Sequence, residues 1–294
     1  SKLPQTSMET TMLAQAATKI KAFNELLAWP FTATAEKLRL QGQEAPSAGS
    51  AARFHACFAR HRHEVIEAQR LRHRVFSEAY GARMQGPFGL DRDRYDKHCL
   101  HLLVRDRGTG ELAGYTRILP GDRLKRSGGF YSEGEFQMGM VNRLEGQVAE
   151  IGRTCIHPDY RGGAVIAVMW SRLAEYMVEH NIRHLIGCAS VSLADGYDIP
   201  AIMGRISDQH MSELSCRVAP RRVFPARPSE STGAVSMPAL LKAYLRMGAR
   251  ICGEPCWDPD FNCLDYFVLL SRENLPARYV QHFLQSCPVS QEAS

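Results

Sequence analysis

The stretch EIGRTCIHPDYRGGAVIAVMW, from Glu150 to Trp170, constrains the fold more than any other part of the chain. An apolar run carrying two charges leads to a proline and two glycines, and then to a continuous apolar segment. This reads as a strand, a turn and a helix. On a regular strand Glu150 and Gly152 share one face while Ile151 and Arg153 share the other. A bulge at Gly152 would re-aim the side chain that follows it and open backbone N–H groups toward a developing negative charge. Past Pro158 the helix starts near Gly163, and its first N–H groups have no internal partner. Together with the helix dipole they favour an anion such as phosphate. Arg161 adds a fork of donors, and Gly162 and Gly163 allow close main-chain approach. The alternative for the turn is a tight joint without a ligand. For Glu150 and Arg153 it is a simple ion pair.

The flanking sequence supplies the rest of a sheet. HLLVRD (101–106) and ELAGYTRIL (111–119) are two strands of a hairpin, HLIGCA (184–189) is a buried strand, and LDYFVLL (264–270) is a last one. Helices are expected over about 62–78, 163–180, 199–213 and 238–248. Strands mixed with helices and opening on a hairpin indicate an α/β (α+β) fold with a mixed central sheet and helices on both faces. The expected division is an N-terminal amphipathic helix and small-residue linker over 1–52, a catalytic domain over 53–275, and a C-terminal helix and tail over 276–294.

With 45% apolar and 23% charged residues the chain has the composition of a folded globular protein. A net charge of +5 is too mild to argue for nucleic acid. The excess is concentrated between Arg53 and Arg74, where arginines and histidines outnumber two glutamates. The nine cysteines include no CxxC pair, and Cys252, Cys256 and Cys263 lack zinc-ligand spacing, so no metal is expected. Free thiols and the lack of a secretory signal fit a cytoplasmic setting. No apolar run reaches the ~20 residues of a membrane-spanning helix. The helix expected over 10–29 could dock on the protein, pair with a second copy or lie peripherally on a membrane.

The joint at Arg161 resembles the acyl-donor site of the Gcn5-related N-acyltransferases, which bind a pantetheine arm beside a splayed strand. In that family the turn commonly carries glycines where this chain has Ala164 and Ile166. A β-branched residue hinders approach to the diphosphate of acyl-CoA, and the single phosphodiester of an acyl carrier protein asks less of the loop. More narrowly, LRHRVFSEAYG, DRYDKHCLHLLV, GYTRIL, GFYSEGEF, EIGRTCIHPDYR, GCASV and PALLKAYLRMGARICGEPCWDPDFNCLDYFVLL resemble, in order, the ornithine lipid biosynthesis N-acyltransferases. The framework is similar also to acyl-homoserine lactone synthases and N-acyl amino acid synthases.

The resemblance implies transfer of a (3-hydroxy)acyl chain from acyl carrier protein to the α-amine of ornithine, with acyl-phosphopantetheine as donor and no resident cofactor. It marks Glu150 and Arg153 as catalytic, with Glu150 taking the amine's proton. Arg74, Asp93, Asp96, Arg117, Phe130 and Ser190 are implied to bind substrate, and Arg161, Gly162 and Gly163 the donor phosphate. Arg117 or Arg153 could hold the acceptor's carboxylate and Asp93 or Asp96 its second cation, or the same residues could be scaffold. Glycine or lysine in place of ornithine, an acetyl-CoA-dependent N-acetyltransferase, and a non-catalytic acyl-binding module are the competing readings. The arginines from Arg60 to Arg74, with Arg123, Lys125 and Arg126, could receive the acidic carrier protein.

Overall fold

The computed structural model describes residues 53–80, 87–144, 146–226, 228 and 234–274. The segments expected over 1–52 and 276–294 lie outside the described residues. Strand β1 (Phe54–Phe58) leads to helix α1 (Arg62–Tyr80), the hairpin β2 (Leu100–Asp106) and β3 (Leu112–Pro120), and the short α2 (Leu124–Ser127). Then come β4 (Phe136–Gln137), β5 (Gln147–Ile156), α3 (Gly163–Glu179), β6 (Ile182–Ser192) and α4 (Ile199–Gln209). The described chain closes with β7 (Ala219–Pro220), α5 (Ala239–Arg246), β8 (Arg250–Ile251), β9 (Cys256–Asp258) and β10 (Cys263–Ser271).

One sheet runs in the order β1, β2, β3, β5, β6, β10, β8, with β9 also paired to β10. Its pairings are antiparallel except that of β5 with β6, which is parallel. β10 shows why the sheet is covered on both sides. Leu264, Tyr266, Val268 and Leu270 face one core, while Phe267 and Leu269 face another. This is the two-residue alternation of a strand buried on both faces. The first core is closed by α3, α4 and α5, which supply Val165, Met169, Leu173, Ile202, Ile206 and Leu241. On the other side α1 lays Ala68 and Leu71 against Leu103, Tyr115 and Cys155. Each large apolar side chain buried in this way contributes about 1.5–3 kcal/mol. A Cβ at Gly114 would stand 2.6 Å from Cγ1 of Val165, so glycine there lets α3 settle onto β3.

The parallel register of β5 and β6 runs to Ile151 opposite Gly187 and stops. Beyond it β5 stays with β3, pairing Cys155 with Tyr115 and Ile156 with Gly114. β6 stays with β10 as far as Ser192 opposite Cys263. The two strands therefore part, as a splayed strand requires. The pivot is tight: a Cβ at Gly187 would lie 2.5 Å from the carbonyl oxygen of Ile151.

A bulge does occur in β5, one residue later than expected. Gly152 remains paired with Arg117, and the register shifts between there and Cys155, so that Thr116 faces both Arg153 and Thr154. Arg153 carries the left-handed backbone, with φ 51. This costs a non-glycine residue free energy and persists only where its surroundings over-determine it. Two further differences concern elements. β1 forms an edge strand within the segment read only as basic, and α4 ends at Gln209 rather than near Glu213.

Candidate active site

The surroundings that hold Arg153 are charged. α1 places Arg72 on its inner face, the loop before β2 supplies Asp91, Asp93 and Asp96, β3 supplies Arg117 and the bulge supplies Arg153. Arg72 bonds Asp91 (2.8 Å) and Asp96 (2.7 Å). Arg117 bonds Asp93 (2.7 Å) and Asp96 (2.7 Å). Arg153 bonds Asp91 (3.0 Å) and contacts Asp93 (3.4 Å). Three cations and three anions thus alternate in a closed ring, each touching two of opposite sign. Burial pushes the Asp93 carboxyl up, but the hydrogen bonds and charge of Arg117 outweigh it and hold the group at about 2. The guanidinium of Arg153 also lies over the ring of Tyr131, 4.9 Å from its centroid.

Of the two roles open to Asp93 and Asp96, facing a substrate cation or serving as scaffold, their pairing with two arginines each fits the scaffold. Arg117 is turned inward, with a side chain 4% exposed, whereas that of Arg153 keeps 16%. Arg74 lies outside the ring. It pairs with Glu78 on the exposed side of α1 and reaches Nε2 of His157 at 3.1 Å. The sequence reading missed Arg72 and Asp91. A signal for Arg72 was present, because it falls on the helical stripe of Ala68, Leu71, Val75 and Phe76.

Glu150 does not meet Arg153. Its buried carboxylate accepts from the backbone N–H groups of Tyr131 (2.7 Å) and Ser132 (2.9 Å) and from the Ser132 hydroxyl (2.5 Å). Burial raises its pKa, and the Ser132 and Tyr131 donors oppose the rise. Glu150 thus anchors the turn Tyr131–Gly134. Phe130, just before that turn, is buried and donates its N–H to Glu133 (3.0 Å).

At the start of α3 no side chain caps the first N–H groups, and Arg161 is exposed beside them. Gly162 is extended (φ 173) with open space around its Cα, so the joint does not require a glycine at that position. Through the Arg74–His157 contact, α1 borders this turn.

On the parted section of β6, Ser190 donates to Asp265 of β10, directly opposite it in the register. Asp265 is 4% exposed, and burial pushes its carboxyl up to about 6. Near it lies Glu135, whose carboxyl is pushed up to about 8 by burial and then by the charge of Asp265. The Oε2 atom of Glu135 is buried without a hydrogen-bond partner. Neither acid was anticipated, although an aspartate inside the apolar run LDYFVLL was a visible irregularity. Cys188 adjoins Ser132 (3.4 Å), and burial raises its thiol well above the usual range, so it is held protonated.

Parallel strands that part beside the uncapped start of a helix, in a mixed sheet covered on both faces, define a Gcn5-related acyltransferase. Residues 71–171 match the Acetyltransferase (GNAT) domain family. The chain is 30% identical over 245 residues to an L-ornithine N(alpha)-acyltransferase of Rhodobacter capsulatus, covering 76% of this chain and 92% of that protein. It is 31% identical over 247 residues to one of Brucella abortus, covering 76% and 86%. It belongs to the L-ornithine N(alpha)-acyltransferase family. Among solved structures, FeeM, an N-acyl amino acid synthase from uncultured soil microbes, aligns at 12% identity and a TM-score of 0.44 over 78% of this chain and 98% of that one, a distant likeness on which no residue assignment rests.

Proposed function

We propose that this acyltransferase moves a (3-hydroxy)acyl chain from acyl carrier protein to the α-amine of ornithine. The observation that carries the reading is the parting of β5 from β6 after Ile151 and Gly187, which frees backbone groups to line an extended thioester arm. The arm's phosphate then meets the N–H groups that open α3, with Arg161 beside them. Arg62, Arg70 and Arg74 on the exposed side of α1 form a basic face for the acidic carrier protein. The name shared by the relatives supports ornithine as acceptor.

In the reaction the neutral amine adds to the thioester carbonyl, an N–C bond forms and the C–S bond breaks. The thiolate, with an ordinary pKa near ~8.5, leaves readily and takes up the proton that nitrogen sheds. No protein nucleophile is consumed, which suits a protonated Cys188. Arg153, the most open of the three ring arginines, holds the acceptor's carboxylate. Glu150, expected as the proton acceptor, is proposed instead as a positioning residue, because three donors already occupy it. The place of action is the cytoplasm, with peripheral contact at the inner face of the membrane. No helix of the described residues is long and apolar enough to cross a membrane.

The test is purified protein with 3-hydroxyacyl carrier protein or the matching acyl-CoA, and ornithine, glycine or lysine, with products read by mass spectrometry. Nα-acylornithine formed mainly from the carrier-protein donor is expected. Equal use of acyl-CoA would refute the donor assignment, and preference for glycine or lysine would refute the acceptor.

A further inference from the structure

Among the described residues, the acids near the parted strands differ in what they are paired with: Glu150 is filled by three neutral donors, and two further sets contrast. Asp91, Asp93 and Asp96 each carry two arginines. Asp265 carries only neutral partners, the Ser190 hydroxyl and the Cys263 thiol, whose Sγ lies 3.8 Å from each of its oxygens. Glu135 likewise has only neutral hydrogen-bonding neighbours, Cys188 and Tyr131, and its Oε2 is buried with no donor. Arg153 acts on Asp265 through space, while its own hydrogen bond goes to Asp91 and its other ion pair to Asp93. Asp258 adds a further negative charge felt by both acids. Desolvated carboxylates without a counter-charge are costly, and a protein that pairs every member of its ring with arginine leaves this pair open. The pair lies beside the splay: Ser190 is on the parted section of β6, and the chain enters Glu135 from the turn that Glu150 anchors.

We infer that Glu135 and Asp265 form the pocket for the acceptor's side-chain ammonium, an inference that rests on ornithine being the acceptor. Ornithine brings two amines of which one must react. An entering ammonium meets the charge of Asp265 and draws off the proton that Glu135 otherwise holds, so the pair stabilises the ammonium form; it is a poor place for the nucleophile and a suitable one for the amine that must stay silent. Holding the δ-nitrogen protonated here, with the carboxylate on Arg153, leaves the α-amine as the group that can meet the thioester. The pair thereby sets both which amino acid is accepted and which nitrogen is acylated.

The experiment has a binding arm and a product arm. Calorimetry compares ornithine with 2-aminopentanoate, which lacks only the δ-amine, on the wild-type protein and on Glu135→Gln and Asp265→Asn, each checked for folding by thermal melting. Wild type is expected to favour ornithine at least ten-fold, and either variant to lose most of that preference while binding 2-aminopentanoate as before. In the product arm the variants yield a rising share of Nδ-acylornithine, which a merely structural role would not produce. Equal wild-type affinity for the two ligands, or variants that weaken both by one factor, would overturn the inference. A wild-type preference for ornithine without any N-acylornithine would leave the pocket standing and refute the acyl-transfer reading instead. Two variants are used so that a folding failure in one still leaves a result from the other.

Discussion

Arg117 meets Asp93 through two parallel hydrogen bonds, Nη1 to Oδ1 and Nη2 to Oδ2, each 2.7 Å. The same Nη1 also reaches Asp96 at 2.7 Å. A planar fork can do this where a point charge cannot. Arg117→Lys is expected to lower the unfolding free energy by about 2–4 kcal/mol, because two buried carboxylates lose part of their compensation. Urea denaturation measures it, and an unchanged midpoint would show that the ring contributes nothing to stability.

Glu135 sets a pH dependence of the opposite kind from an ion-paired acid. Its carboxyl stands at about 8 in the folded protein against an ordinary 4.5. Between those values the native state holds a proton that the unfolded chain has lost, so stability contributed at low pH drains away as pH rises toward 8. Glu135→Gln removes that drain. Its melting temperature should match wild type near pH 5 and exceed it at pH 8, by an amount equivalent to no more than about 5 kcal/mol. A difference independent of pH would contradict the assignment.

Glu150→Gln presents one NH2 group to a set of three donors, a buried mismatch of about 1–3 kcal/mol. The turn Tyr131–Gly134 should loosen, with stability and turnover falling together, while Ser132→Ala costs about 1 kcal/mol. A Glu150→Gln protein as stable as wild type but without turnover would make Glu150 the proton acceptor after all.

Gly187→Ala tests the pivot. The added methyl group meets the Ile151 carbonyl oxygen at 2.5 Å, so the strands must separate one pair earlier. Overpacking of this kind costs about 1–3 kcal/mol. Acyl transfer is expected to fall more than stability alone explains, seen as a reduced kcat/KM for the thioester at a temperature where the variant remains folded. Full activity would show that the parting point is not tied to donor binding.

Charge reversal at Arg62 and Arg70, both exposed on α1, should weaken the carrier-protein donor and flatten its dependence on salt, leaving a short pantetheine thioester almost unaffected. An unaltered salt dependence would place the docking face elsewhere.

Alternation and the strand–turn–helix joint made the central strands of the main sheet and α3 readable from the chain, because those features follow from local periodicity, while the splay was an expectation of the family resemblance. The ring was half readable. The family resemblance marked Asp93, Asp96, Arg117 and Arg153, but their partners are chosen by tertiary packing, and the resemblance pointed to Arg74 where the structure uses Arg72. The bulge fell on Arg153 because charge pairing holds a backbone that a glycine would adopt at less cost. Glu135 and Asp265 were missed for a related reason: two acids more than a hundred positions apart show no pattern until the fold lays the start of β4 on β10, as Phe136 against Phe267 does.

The closed ring has a consequence for how such a chain can vary. Six positions on three elements and a loop share one electrical account that sums to zero, so a change of sign at any one strands its two neighbours in a dry interior. Among sequences that keep this fold, the six therefore act as a single inherited character, kept whole or exchanged together. The open pair at Glu135 and Asp265 is under no such bond and is free to follow the amino acid it meets.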